Sequence, residues 1–206
     1  MKLKYPRTYH FEWSEGKGSD DKTQFDLSGF VGREIIITEK MDGENTTLMR
    51  DCIYARSLDS VDHPSRHWVK GLWGNIKHEV PENMRVCGEN LYAQHALRYE
   101  NLPSYFMVFS IWEEGKCLSW KETKEYCEML GLITVPVLWE GVFDLNFVKQ
   151  FKIDTGKQEG FVMRLAESFS LDNFQKSVVK WVREGHVADD EEHWMTKKIT
   201  PNKLIK

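Results

Sequence analysis

A chain of 206 residues, 41% hydrophobic with eight tryptophans, is long enough for one domain with a substantial core. Its net charge of −4 argues against a protein that coats nucleic acid with a basic face, though it leaves room for a local basic groove. No run approaches the roughly 20 apolar residues of a membrane span, and Met1-Lys2-Leu3-Lys4-Tyr5-Pro6 lacks the apolar h-region of a signal peptide. Cys52, Cys87, Cys117 and Cys127 are scattered without a C-x-x-C pair, which disfavours a disulfide framework or zinc site and makes the reducing cytoplasm the default compartment.

Residues 1–32 are polar and turn-rich, most clearly in Ser14-Glu15-Gly16-Lys17-Gly18-Ser19-Asp20-Asp21, and read as an irregular lead-in or lid. Strand signals follow at 34–38, 46–50 and Ile53–Ala55, joined by tight turns. His63 and His67 are four apart, but Pro64 between them spoils a helical metal pair, so this stretch reads as loop. Trp68, Leu72 and Ile76 at helical spacing predict a helix over 67–78. Strands are expected at 85–91 and 106–112. Ser119-Trp120-Lys121-Glu122 is a capping box and Gly131 suits a helix end, which predicts a helix between them. A strand at 135–139, a short helix capped by Asp144 and running to Phe151, and strands at 161–165 and Val178–Val182 complete the pattern. The tail 184–206 carries Asp189-Asp190-Glu191-Glu192, which reads as a solvated face; His186 and His193 beside it suit a surface role better than zinc. Hairpin-like strand groups interrupted by helices favour an α+β fold of largely antiparallel sheets with flanking helices over a doubly wound sheet.

The chemistry concentrates at Glu39-Lys40-Met41-Asp42-Gly43-Glu44-Asn45, where a lysine follows the apolar run Ile35-Ile36-Ile37 and an Asp-Gly corner comes two residues later. A lysine held at a rigid strand end beside a tight turn suits a covalent nucleophile; the plain alternative is a solvated lysine in an ordinary hairpin. Four later residues supply what a lysine–nucleotide intermediate requires. Arg56 lies past a strand end, Glu89 follows a strand beside Gly88, Glu159 opens another, and Lys180 sits inside Val178-Val179-Lys180-Trp181-Val182, where an inward lysine is costly without an anion. Each alone has a bland reading: a surface ion pair, turn residues, an edge-strand gatekeeper.

In this order the segments resemble the covalent lysyl-nucleotidyltransferase superfamily of ATP-dependent polynucleotide ligases and capping enzymes, closest to the small bacterial and phage RNA ligases. Lys40-Met41-Asp42-Gly43 looks like the family's nucleotidyl-lysine motif, and Arg56 like its next arginine. Gly88-Glu89-Asn90, Phe109-Ser110-Ile111-Trp112, Glu159-Gly160-Phe161-Val162-Met163-Arg164 and Val179-Lys180-Trp181-Val182 look like the later motifs. Asn45 tilts the match towards RNA ligases, and Tyr5-Pro6-Arg7-Thr8 and Pro103-Ser104-Tyr105-Phe106 add to it. Two departures stand out: Ser110 replaces a common acidic residue, and the fifth motif lacks its second lysine, a place that Arg183 or Lys176 would have to fill.

The resemblance implies a single nucleotidyltransferase (adenylyltransferase) domain over 1–206, ATP-grasp-like, with no appended OB barrel. It implies that Lys40 attacks ATP to give lysyl-AMP, that AMP passes to a 5′-phosphate end, and that a 3′-hydroxyl then seals the strand. Lys40, Lys180 and Asp42 are the catalytic set, with Asp42 serving geometry or metal water. Glu39, Lys40, Asn45, Arg56, Glu89, Phe109, Glu159 and Lys180 form the nucleotide site, with Phe109 against adenine or simply in the core. Glu159, helped by Glu89, would handle Mg²⁺ or Mn²⁺. The partners implied are RNA ends, with DNA or hybrid nicks as the alternative, ATP, and a repair protein that offsets weak, salt-sensitive binding by a small acidic domain. A noncatalytic binding module is the remaining alternative, one that predicts erosion of these pocket residues.

Overall fold

The computed structural model describes residues 2–185 and 199–205. The strands are, in chain order, β1 (Tyr9–Phe11), β2 (Thr23–Gln24), β3 (Glu34–Lys40), β4 (Glu44–Leu48), β5 (Ile53–Ala55), β6 (Met84–Asn90) and β7 (Phe106–Glu113). They continue with β8 (Lys116–Cys117), β9 (Ile133–Thr134), β10 (Val137–Val142), β11 (Gly160–Leu165), β12 (Phe169–Ser170) and β13 (Val178–Val182). The helices are α1 (His67–Ile76), α2 (Trp120–Met129) and α3 (Leu145–Gln150).

The strands form two sheets, ordered β10-β3-β11-β13-β1-β2 and β12-β8-β7-β6-β4-β5, with β9 alongside β7. Most pairings are antiparallel; β1 runs parallel to β13 and to β2, and β9 parallel to β7. The fold is therefore mixed α+β with few helices, as the strand grouping implied. Apolar side chains of both sheets share one core: Ile35, Ile37, Met163 and Val179 from the first meet Cys87, Trp112 and Cys117 from the second. Burying such side chains contributes on the order of 1.5–3 kcal/mol each.

Local chemistry fixes the elements much as the sequence suggests. Ser119 accepts from the Glu122 amide while the Glu122 carboxylate accepts from the Ser119 amide, so α2 starts on its capping box, and Gly131 takes φ 63° beyond its end. Asp144 caps α3 by accepting from Phe147 N at 2.8 Å. His63 accepts from Ser65 N at the start of a 3₁₀ turn at Pro64–Arg66, which separates it from His67 at the head of α1.

Two expectations need correcting. Residues 1–32 are not merely a lead-in or lid: β1 pairs with β13, and His10 and Phe11 are fully buried. The strand expected at 135–139 runs instead over Val137–Val142, because Pro136 has no N–H for a ladder; its carbonyl accepts from Glu39 N at 2.9 Å. The acidic run at 189–192, His186 and His193 lie outside the described residues. Among the described residues no helix is long and apolar enough to cross a membrane.

Candidate active site

The Asp-Gly corner after Lys40 is not a hairpin turn. β3 belongs to the first sheet and β4 to the second, so Met41-Asp42-Gly43 carries the chain across the gap between them. Gly43 is required there, since a Cβ would lie 2.5 Å from Asn90 O and 2.9 Å from Leu91 Cδ2. The lysine is thus delivered to the mouth of a cleft between two sheets rather than to an exposed loop tip.

The cleft holds a cavity of about 320 Å³, within the lower range of small-molecule sites. The first sheet contributes Glu39, Lys40 and Lys180 to its lining, and the second contributes Asn45, Glu89 and Phe109. Arg56, just past β5, also lines it. Residues more than 100 positions apart in sequence therefore converge on one pocket. Glu159 and Asp42 do not line the cavity but support its walls. Glu159, 5% exposed, accepts from Lys40 Nζ at 2.5 Å. Asp42 Oδ2 accepts from Leu97 N at 2.7 Å, and Asp42 N donates to Tyr99 Oη at 2.9 Å, so this residue is tied into the corner's geometry. Phe109 packs edge-on against Tyr5, ring centroids 5.2 Å apart, while remaining on the cavity wall.

The electrostatics pair carboxylates against cations. Burial works against the Lys40 ammonium, but the carboxylates of Glu159, Glu89 and Asp42 outweigh it and hold the amine above the usual lysine range. At rest the Lys40 side chain is thus held as a protonated amine, although the neighbouring Lys180 alone would favour the neutral form. Lys180 is the lysine pulled down, to about 8, by burial and then by Lys40 and Arg56, against Asp21 and Glu159. Burial pushes Glu89 up to about 8; Lys40 opposes this, while Glu159, Asp42 and Glu44 add to it. Burial likewise raises Glu39, whose carboxylate accepts from Gln158 Nε2 at 3.0 Å. Asn45 Oδ1 is buried on the cavity side of β4 without a hydrogen-bond partner among the described residues, an acceptor left for a ligand.

Arg7, from the segment Tyr5-Pro6-Arg7-Thr8, lines the cavity, and so does Asp21, which carried no recognisable functional signal; Arg183 and Lys176, considered for the fifth motif's second basic group, do not. Arg164 lines it too, but its guanidinium is committed to the carbonyls of Leu165, Leu118 and Phe109. Ser110 donates to Tyr5 Oη at 3.3 Å and accepts from Trp112 Nε1 at 3.1 Å. His95 is held below the usual histidine range by burial, against the pull of Asp42, Glu44 and Glu159. Among the described residues no group of three or more His, Cys, Asp or Glu is arranged to hold a metal ion by itself.

The RNA ligase family matches residues 33–182 of this chain. No curated protein matches it. Among solved structures, a mutant of the Naegleria gruberi RNA ligase without ligand superposes with a TM-score of 0.56 at 13% identity, covering 87% of this chain and 57% of that one. A further mutant of that ligase, with ATP and Mn, gives 0.57 at 15%, covering 87% and 60%. A putative ATP-dependent DNA ligase from Aquifex aeolicus gives 0.55 at 20%, covering 87% and 49%. The chain spans about half to three-fifths of the length of these structures. The family match runs from the start of β3 to the end of β13 and takes in Lys40, Arg56, Glu89, Phe109, Glu159 and Lys180, so the chain belongs to the RNA ligase family.

Proposed function

We propose that this chain is the adenylyltransferase part, ATP-grasp-like in its two-sheet cleft, of an ATP-dependent RNA ligase that joins 5′-phosphate and 3′-hydroxyl ends. The observation that carries the proposal is Lys40 on the wall of the cleft, ion-paired to Glu159 at 2.5 Å with Lys180 lining the same cavity. In the first step Nζ of Lys40 bonds to the α-phosphorus of ATP, the bond to the β-phosphate oxygen breaks, and pyrophosphate leaves. A 5′-phosphate oxygen then displaces Lys40 and takes AMP. A 3′-hydroxyl finally attacks that activated phosphate, forming the phosphodiester and releasing AMP.

The chain's own groups divide this work. The Lys40 ammonium must shed a proton before attack, and the nearby Lys180 pushes in that direction. Lys180 and Arg56 stabilise charge on the phosphates, in a cleft where such interactions gain strength from excluded water. Glu89 accepts from the ribose hydroxyls, and Phe109 faces the adenine. Glu39 and Asn45 supply polar contacts, and Asp42 holds the corner that carries Lys40. A divalent cation, Mg²⁺ or Mn²⁺, fits the chemistry of these donors, because the oxygen ligands it prefers are supplied by the Glu159 and Glu89 carboxylates, which both act on Lys40. Glu159 and Glu89 would hold it through its waters, and when bound it supplies positive charge that offsets the phosphates and competes with Lys40 for Glu159.

The substrate is RNA ends, with a repair protein compensating for the limited basic surface of a chain of net charge −4. The test offers 5′-phosphorylated RNA and DNA ends side by side with ATP and Mg²⁺. Sealed RNA supports the proposal. Sealing of DNA nicks alone, or accumulation of adenylylated ends without sealing, would shift it to a DNA ligase or an end-adenylating enzyme.

A further inference from the structure

Residues 199–205 form a strap laid along the irregular segment 91–105. The backbone of the two interlocks: Gln94 N donates to Thr200 O at 2.8 Å, Lys203 N to Tyr99 O at 2.9 Å, and Leu102 N to Lys203 O at 2.9 Å. Isolated bridges pair Ala93 with Pro201 and Leu102 with Leu204. At the centre is Asn202, 2% exposed and saturated with partners. Its Nδ2 donates to Leu91 O at 2.8 Å, its Oδ1 accepts from Tyr99 N at 2.9 Å, its N donates to Tyr92 O at 2.9 Å, and its carbonyl accepts from Tyr105 Oη at 2.8 Å.

A segment without helix or strand has no ladder of its own, so its shape depends on such external partners. What 91–105 holds in turn is the corner after Lys40. Tyr99 Oη accepts from Asp42 N at 2.9 Å, and Leu97 N donates to Asp42 Oδ2 at 2.7 Å. The apolar side agrees: Leu204, Tyr99 and Tyr105 pack on the cluster that contains Met41, Leu91 and Leu102. A continuous path therefore runs from Asn202 through Tyr99 to Asp42, two residues beyond the lysine.

We infer that the strap 199–205 is a positioning element for the Lys40 corner, with Asn202 and Tyr99 as its positioning residues. The inference rests on Lys40 being the nucleophile. Attack on phosphorus tolerates little misplacement, and a shift of about 1 Å costs on the order of a hundredfold in rate. Neither Asn202 nor Tyr99 lines the cavity, so loosening the strap changes how often Lys40 is aligned rather than how well ATP binds.

The experiment uses the full chain with Asn202→Ala, Tyr99→Phe and both together, all well below their melting transitions. It reads lysyl-AMP formation with α-labelled ATP and hydrogen exchange at the Leu97 amide. The expected result is a fall of roughly tenfold in rate at saturating ATP for each single variant, with half-saturating ATP unchanged. The double variant should be no slower than the slower single one, because both changes cut one path, and the Leu97 amide should exchange about tenfold faster in Asn202→Ala. Unchanged rates, effects that multiply in the double variant, or a Leu97 amide as protected as in the parent would each overturn the inference. A parent chain that takes no label refutes the nucleophile itself. Exchange at Leu97 still decides the link between strap and corner in that case, since faster exchange supports it and unchanged exchange overturns it.

Discussion

Glu159→Gln separates two jobs proposed for one carboxylate: holding Lys40 protonated at rest and handling the divalent cation. Lys40 Nζ and Glu159 Oε2 are 2.5 Å apart, with the two side chains 25% and 6% exposed. A hydrogen bond to a charged group contributes about 1.5–3 kcal/mol, and 1.36 kcal/mol is a factor of ten in protonation. Removing the charge while keeping the side chain's shape should raise the neutral-amine fraction roughly tenfold to a hundredfold, with Glu89 and Asp42 trimming the gain. The opposing effect of burial then acts with less resistance. Brief acylation near pH 8 with an amine-reactive ester, followed by peptide mapping, reads this directly. Lys40 should gain about tenfold or more relative to a surface lysine such as Lys121, 84% exposed, while transfer from ATP falls because metal handling is lost. The parent's raised Lys40 also means that the pair's stabilisation persists through neutral pH and is lost only as pH rises through a value above the usual lysine range. Lys40 acylation equal to or slower than in the parent would refute the claim that Glu159 keeps the amine charged.

Because Lys180 is pulled down to about 8, it loses its charge as pH rises through that value, so ATP affinity should fall there. Lys180→Arg, charged throughout, should flatten the profile in nucleotide titrations; an equally steep fall in the variant would point to another group. The same depression makes Lys180 destabilising below about 8, a burden relieved as pH rises towards the unfolded lysine value near 10.4. Gly160→Ala would place a Cβ 2.1 Å from Trp181 O and prise β11 from β13, the strand that carries Lys180. A cost of about 1–3 kcal/mol or more is expected in thermal unfolding, with nucleotide transfer lost alongside; near-parent stability would contradict the close approach. RNA end joining should weaken between low and moderate salt, since Arg7, Lys40, Arg56 and Lys180 line the cleft and would hold RNA through its phosphates, and a flat salt response would be incompatible with that.

Much of this fold was legible where one physical signal dominates. The β-branched runs Ile35-Ile36-Ile37 and Val178–Val182 became core strands of the first sheet on either side of β11, and Ser119 with Glu122 set the start of α2. Where pairing partners are distant in sequence, the signal was too short to read. Tyr9–Phe11 is only three residues and becomes a strand because β13 offers a parallel edge. Asp42-Gly43 carries the same local chemistry whether it closes a hairpin or crosses between sheets, and only the tertiary partners decide. The pocket lysines, arginine and glutamates were named from an ordered set of motifs. The Lys40–Glu159 contact, which holds the amine above the usual lysine range, spans 119 positions and so left no local trace in the sequence. Asn202 gave no warning, because its importance lies in backbone groups of another segment.

The claim that everything else depends on is a covalent bond between Lys40 and AMP. Incubating the full chain with ATP and Mg²⁺, digesting it, and locating the modified peptide by mass spectrometry tests it most directly. The account predicts one AMP on the side chain of Lys40 and none on Lys40→Ala. AMP on any other residue, or on the Lys40→Ala protein, would contradict it.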